Sequence, residues 1–314
     1  MVVGEYAHST VVRALGLLGL GRDRVRRVPA DDQGRMRADC LPGDVTGPVV
    51  ICAQAGEVNT GAFDPFPSIL ESARRHQAWM HVDGAFGLWA LTDPSRAHLT
   101  AALADADSWA TDGHKWLNVP YDCGIALVRR PEDLRRSFTA AAGYLPPDTG
   151  FEAANLTPQS SQRARQVEVW AVLRTLGRQG VTDLITRTCR HAQTMAVCLG
   201  QAGLEVLNDV VFNQVLVRAA TDEQTRALIT AVQRDGGRAG AGRPCGSTAR
   251  PCGSASPAGP RPPRTSGTAQ TPSSPLLSSR PPETDQTRPV ICRYVTMLRW
   301  THTRQRGGRV VRRG

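Results

Sequence analysis

The chain has 314 residues, 40% of them hydrophobic and 21% charged, and a formal net charge of +10. Residues 1–237 are net −2 while residues 238–314 are net +12, so the basic balance belongs to the tail and gives no indication of a nucleic-acid surface on the globular part, for which no nucleic-acid partner is expected. The lack of an apolar run of about 18 residues excludes a membrane span, and the start Met1-Val2-Val3-Gly4-Glu5-Tyr6 lacks the basic-then-apolar pattern of a secretory leader.

Taken in chain order, residues 49–53, 78–82, 108–111 and 124–128 read as strands, each short, apolar or β-branched and bounded by Gly, Asp or Pro. Helices are expected between them over 66–76 and 96–103. This alternation predicts an α/β fold with a parallel sheet covered on both faces. Two helices follow, over 161–177 and 181–201, the first with Val167, Trp170, Ala171 and Leu173 spaced for one face. A strand over 211–217 and a helix over 223–233 suggest a smaller second domain. Near residue 238 the character changes: the tail holds 11 of the 22 prolines and fourteen of the arginines. Such a composition cannot bury enough surface to offset ordering entropy, so residues 238–314 are expected to be a disordered Pro/Arg/Ser-rich tail, and a frameshift near Gly237 would account for it. The eight cysteines are scattered without a C-x-x-C pair, which fits reduced thiols in a cytoplasmic protein better than a disulfide frame or a zinc site.

Lys115 is the sole lysine; the other 37 fixed cations are arginine. Arginine cannot replace an amine that must lose its proton and attack a carbonyl, so a lysine kept alone in Asp112-Gly113-His114-Lys115-Trp116 reads as a Schiff-base lysine. Asp83 ends the expected strand before it, in His81-Val82-Asp83-Gly84-Ala85-Phe86-Gly87. Taken alone, Asp83 would read as a helix N-cap or turn residue. In an open parallel sheet, ligands sit outside the carboxyl ends of the strands, and there a carboxylate and an amine would meet at one edge. That pair suits pyridoxal 5′-phosphate (PLP), which needs an amine for its aldehyde and a carboxylate on its pyridine nitrogen.

With these residues on the page, the chain resembles the group II PLP-dependent decarboxylases, the aromatic-amino-acid and glutamate decarboxylase family. The resemblance covers about residues 1–237. It rests on Glu5-Tyr6-Ala7-His8-Ser9, on Gly56-Glu57-Val58-Asn59-Thr60-Gly61-Ala62-Phe63-Asp64-Pro65, on His81-Val82-Asp83-Gly84-Ala85, and on Asp107-Ser108-Trp109 leading into His114-Lys115-Trp116-Leu117. It implies a fold-type-I large domain, L-amino-acid decarboxylation through Lys115, and a homodimer in the complete enzyme. It also implies roles: Ala85 against the cofactor ring, His8 stacked on the other ring face, His114 near the phosphate with Ser108 assisting, and Asn59 and Thr60 near the ring substituents. Tyr144 resembles the tyrosine that protonates the substrate carbon, though a packing aromatic is the other reading of it; Arg163 and Arg165 read as structural. An aminotransferase, a carbon–carbon lyase or a non-catalytic fragment stays open, because the same lysine and aspartate serve them all.

The expected organisation is therefore a partial PLP-binding large domain over 1–150, a connecting helix with a partial small domain over 151–237, and the tail over 238–314. The family's Gly/Ser/Thr turn for the phosphate would precede the stacking histidine, and this chain starts seven residues before His8. The large domain is accordingly expected to be incomplete.

Overall fold

The computed structural model describes residues 1–45, 47–139, 153–159 and 161–234, and the backbone of 241–242 and 292–295. The chain runs β1 (Val2–Gly4), α1 (Ser9–Leu17), β2 (Arg26–Val28), β3 (Val50–Gln54), α2 (Phe66–Arg75), β4 (Trp79–Asp83), β5 (Ser108–Asp112), α3 (Gly113–Trp116), β6 (Gly124–Val128), α4 (Pro131–Phe138), α5 (Arg165–Gln201), β7 (Glu205–Val206), β8 (Gln214–Arg218), α6 (Asp222–Arg234), β9 (Ala241–Gly242) and β10 (Cys292–Val295). The large sheet has the order β2-β1-β3-β4-β5-β6. Its first five strands are parallel and β6 returns antiparallel to β5. Only eleven residues, with the four-residue α3 among them, separate β5 from β6. That is too short for a parallel crossover, so the chain turns back, and the mostly parallel sheet ends in one antiparallel edge strand.

Alternate residues of β3 and β4 divide the sheet faces. Ile51, Ala53, Met80 and Val82 join Phe66, Ile69, Leu70 and Ala73 of α2 in the main core. The segment expected as a helix over 96–103 forms 3₁₀ turns instead, over Pro94–Thr100 and Leu103–Asp105. Here Asp93 supplies its own local partners: it accepts from Ser95 N–H and Oγ, is paired with Arg96, and is bonded by Thr186 Oγ1 of α5 at 2.9 Å. Thr182 Oγ1 adds a bond to Thr92 O at 2.7 Å. These contacts lay α5 against the segment after β4.

The two helices expected over 161–201 form one run, broken at Gly177 with φ 61° and ψ −177°. Past it, Val181, Ile185, Cys189 and Ala192 are buried. The second sheet has the order β7-β8-β10-β9, with β8 antiparallel to both β7 and β10. Within the tail, the backbone of Cys292–Val295 forms β10 along the edge of β8.

Candidate active site

The four sequence segments singled out above follow four parallel strands. Residues 5–8 leave β1, 55–63 leave β3, 84–87 leave β4, and 113–116 leave β5. Parallel pairing puts all four at one rim, the carboxyl end of the sheet. Asp83 is in register with Ala110, two residues before Asp112, so the Asp83 and Asp112 side chains share a sheet face.

Two glycines let the rim close up. A Cβ on Gly87 would fall 1.9 Å from Ala55 O, so the loop after β4 can cross the end of β3 only as glycine. Gly56 has φ +88°, and a Cβ there would meet the Phe86 ring at 2.7 Å. The loop after β4 is then tied to β5: Gly84 N–H donates to Ala110 O and Asp112 N–H donates to Ala85 O, at 2.9 and 3.0 Å.

Lys115 Nζ lies 3.0 Å from Asp112 Oδ2 and 5.8 Å from the centre of the Phe86 ring, and its side chain is 32% exposed. His114 Nε2 is 3.7 Å from the same Asp112 oxygen. His114 Nδ1 sits 3.0 Å from Cys123 O and 3.2 Å from Cys123 N, and Tyr121 lies against the ring at 4.1 Å. Next to Cys123, Asp122 is gripped by Arg165, at 3.0 Å in the closest contact, and its carbonyl by Arg163 at 3.2 Å. These two arginines hold the return strand against α5. Asp83 is part-buried, and its side chain has one hydrogen bond among the described residues, from Ala85 N–H to Oδ1 at 3.2 Å. Burial first, and then the Asp83 charge, push the Cys52 thiol far above its usual range, which puts the carboxylate on the Cys52 side of the sheet.

His8 reaches the same rim from β1. Its exposed ring caps α1, with Nδ1 2.8 Å from Thr10 Oγ1. Three more of the expected site residues have protein partners. Asn59 and Thr60, both buried, satisfy the Glu57 carboxylate, which is only 2% exposed. Asn59 N–H and Nδ2 donate to it at 2.7 Å each, and Thr60 N–H at 2.8 Å. A buried carboxylate must be matched by donors, and these are the nearest ones. Ser108 is the third. It starts β5, four residues before the end at which Lys115 emerges, about 13 Å away along a strand. Its hydroxyl accepts from Trp79 Nε1 at 2.7 Å and lies 2.8 Å from His81 Nδ1, while burial holds His81 below its usual range. Tyr144 lies outside the described residues.

Sequence reasoning missed two residues here. Asp112 was read only as context for the lysine, although a carboxylate three residues before a lysine on a short helix was the available signal. Phe212 carried no signal at all. It comes just before β8, is fully buried, and packs on Phe63, Phe86 and Trp116 at 5.6, 6.1 and 5.4 Å. Behind it, Asn208 Nδ2 donates to Thr60 O at 2.7 Å and Asp209 N–H to Gln33 Oε1 at 3.0 Å.

An amine and a carboxylate on neighbouring strands, at one end of a parallel sheet, are the donor set that an aromatic aldehyde with a ring nitrogen requires, so these residues fit PLP. Among the described residues, no group of His, Cys, Asp and Glu could hold a metal ion. The profile of the pyridoxal-dependent decarboxylase conserved domain matches residues 1–219. L-2,4-diaminobutyrate decarboxylase of Rhizobium meliloti (strain 1021) is 33% identical over 236 residues, covering 69% of this chain and 47% of that protein. Aromatic-L-amino-acid decarboxylase of Drosophila lebanonensis is 31% identical over 242 residues, covering 73% and 59%. The chain therefore spans about half the length of the curated relatives it matches. Oryza sativa TDC, solved with PLP and tryptamine, superposes with a TM-score of 0.71 at 24% identity, over 77% of this chain and 55% of that one, a likeness of fold. This chain belongs to the pyridoxal-dependent decarboxylase family, a family of lyases whose cofactor is pyridoxal 5′-phosphate.

Proposed function

We propose that the chain carries the cofactor-holding part of an enzyme that removes the α-carboxylate of an L-amino acid. One observation supports this above the rest: the chain's sole lysine and Asp83 lie at the carboxyl ends of adjacent parallel strands, on a rim crossed by glycine-dependent loops. Bound there, PLP supplies an electron-accepting ring for the pair left behind when carbon dioxide departs.

The chain's own residues do the rest. Lys115 Nζ is the amine that joins the aldehyde. Asp83 Oδ2, not engaged by the Ala85 amide, holds a proton on the ring nitrogen, and a fixed anion in that place keeps the ring electron-poor. Ala85 presents a small side chain beside the ring. His114, braced by Cys123 and Tyr121, serves the phosphate side. His8, whose ring caps α1, would be the residue that stacks on the cofactor ring. Tyr144 Oη, by its place in the family resemblance, returns a proton to Cα. The substrate is an amino acid.

A homodimer is supported by Val167 and Trp170, three residues apart on α5 and 57% and 65% exposed. A cytoplasmic location is supported by the free thiols of Cys40, Cys52, Cys123, Cys189 and Cys198.

The test is carbon dioxide release from a panel of L-amino acids, using the full chain with PLP and Lys115→Ala as control. Amine and carbon dioxide in equal amounts, lost in the control, are expected. A 2-oxo acid product in place of carbon dioxide would replace decarboxylation with amino-group transfer.

A further inference from the structure

Asp112 is the carboxylate nearest the reactive amine, and nothing above gives it a task. Its backbone N–H is pinned to Ala85 O at 3.0 Å, so its position is set by the same loop that carries Asp83. Its Oδ2 faces two groups of the lysine segment, Lys115 Nζ at 3.0 Å and His114 Nε2 at 3.7 Å. His114 is in turn fixed through Nδ1 to Cys123, and Cys123 follows the Asp122 that Arg165 grips. The carboxylate is thus held from both sides, with 27% of its side-chain surface exposed. A flexible surface pair has no such support and holds its partner loosely. Among the described residues, the other carboxylate of this sheet face at the rim is Asp83, one strand away, and it accepts from Ala85 N–H.

We propose that Asp112 is a positioning residue, the counter-ion on which Lys115 rests whenever its amine is free. Resting on the reading of Lys115 as the cofactor amine, this assigns the two rim carboxylates different partners: Asp83 serves the ring nitrogen and Asp112 the lysine. Asp112 keeps the free ammonium at the rim and away from solvent, and so governs how readily the amine reacts. Removing the charge should release the amine; lengthening the side chain by one methylene should largely keep it.

Because Lys115 is the sole lysine, its reactivity can be read without interference. The full chain, freed of cofactor with hydroxylamine, is treated with limiting acetic anhydride at a fixed pH, and the Lys115 peptide is quantified by mass spectrometry against the Met1 α-amine. Asp112→Asn is expected to raise Lys115 acetylation about threefold relative to Met1, the size of a half-exposed ion pair. Asp112→Glu is expected to stay near the wild-type ratio. An unchanged or lower ratio in Asp112→Asn overturns the proposal, and so does an equal rise in both variants, which would mark a general opening of the segment. A parallel sample of wild-type chain is given PLP and then borohydride. Trapping on Lys115 with an unchanged acetylation ratio removes only the role of Asp112, whereas no trapping on Lys115 removes the reading beneath it.

Discussion

The rim and the junction behind it use the same residue types to opposite ends. At the junction Glu57 and Asp64 are 2% and 5% exposed, and their oxygens are covered by donors. Asp64 accepts from Met36 N–H and Gln54 N–H at 2.7 Å each, and Glu57 from Asn59 and Thr60. Beside them Phe212, just before β8, joins the core cluster of the large sheet. At the rim, Asp83 accepts from one amide, and Asp112 faces the Lys115 amine and, farther off, the His114 ring, both carboxylates part-exposed. A carboxylate saturated by the chain's own amides is architecture. One left with open acceptor sites beside an amine is available to a ligand. Motif residues can therefore be sorted by what already occupies them, and Asn59 and Thr60 are already bonded to Glu57.

The junction should break first and hardest. Phe212→Ala removes a fully buried ring touching Phe63, Phe86 and Trp116, and a loss of about 4 kcal/mol is expected. Urea denaturation checks it; a loss below about 1 kcal/mol would mean that Phe212 does not brace the loops of the large sheet.

A pH effect from Asp64 comes next. Burial pushes its carboxyl up to about 6, against the pull of the Gln54 and Met36 amides. A carboxyl whose folded value lies above its unfolded one takes up a proton on folding. Its contribution is fully present below the unfolded value near 4 and is lost as pH rises through about 6. Stability should therefore rise by up to roughly 3 kcal/mol between pH 7 and pH 4 from this group alone, with other carboxylates superimposed. The difference between wild type and Asp64→Asn isolates it in urea titrations at several pH values. A difference that does not vary with pH would assign Asp64 an ordinary carboxyl.

Much of the rim was legible in the sequence, because its chemistry is local. A lone lysine after one strand and an aspartate ending the strand before it need only parallel pairing to meet, and β4 and β5 supply it. The central strands were legible for the same reason, as short apolar runs bounded by Gly, Asp or Pro. What was not legible depended on distant partners. β1 and β2 have three residues each, too few for a periodic signal. The 3₁₀ turns after β4 are set by Asp93 and its hydroxyl partners on α5, some ninety residues on. Ser108 lies in the lysine's own strand, but strand direction puts it at the other end. The task of Phe212 depends on aromatic partners about a hundred residues or more away, Phe63, Phe86 and Trp116, which no window of sequence contains.

The smallest effect on stability, and the largest on function, belongs to the rim. Asp83→Ala removes one part-exposed hydrogen bond and should cost about 1 kcal/mol or less. Its effect on cofactor capture should be far greater, and this leads to the most direct measurement. The full chain is incubated with PLP, reduced with borohydride and digested, and the pyridoxyl group is located by mass. One group per chain on Lys115, with little on the Met1 α-amine and much reduced capture in Asp83→Ala, is the predicted result. Capture that ignores Asp83, or that favours Met1 over Lys115, would contradict the account.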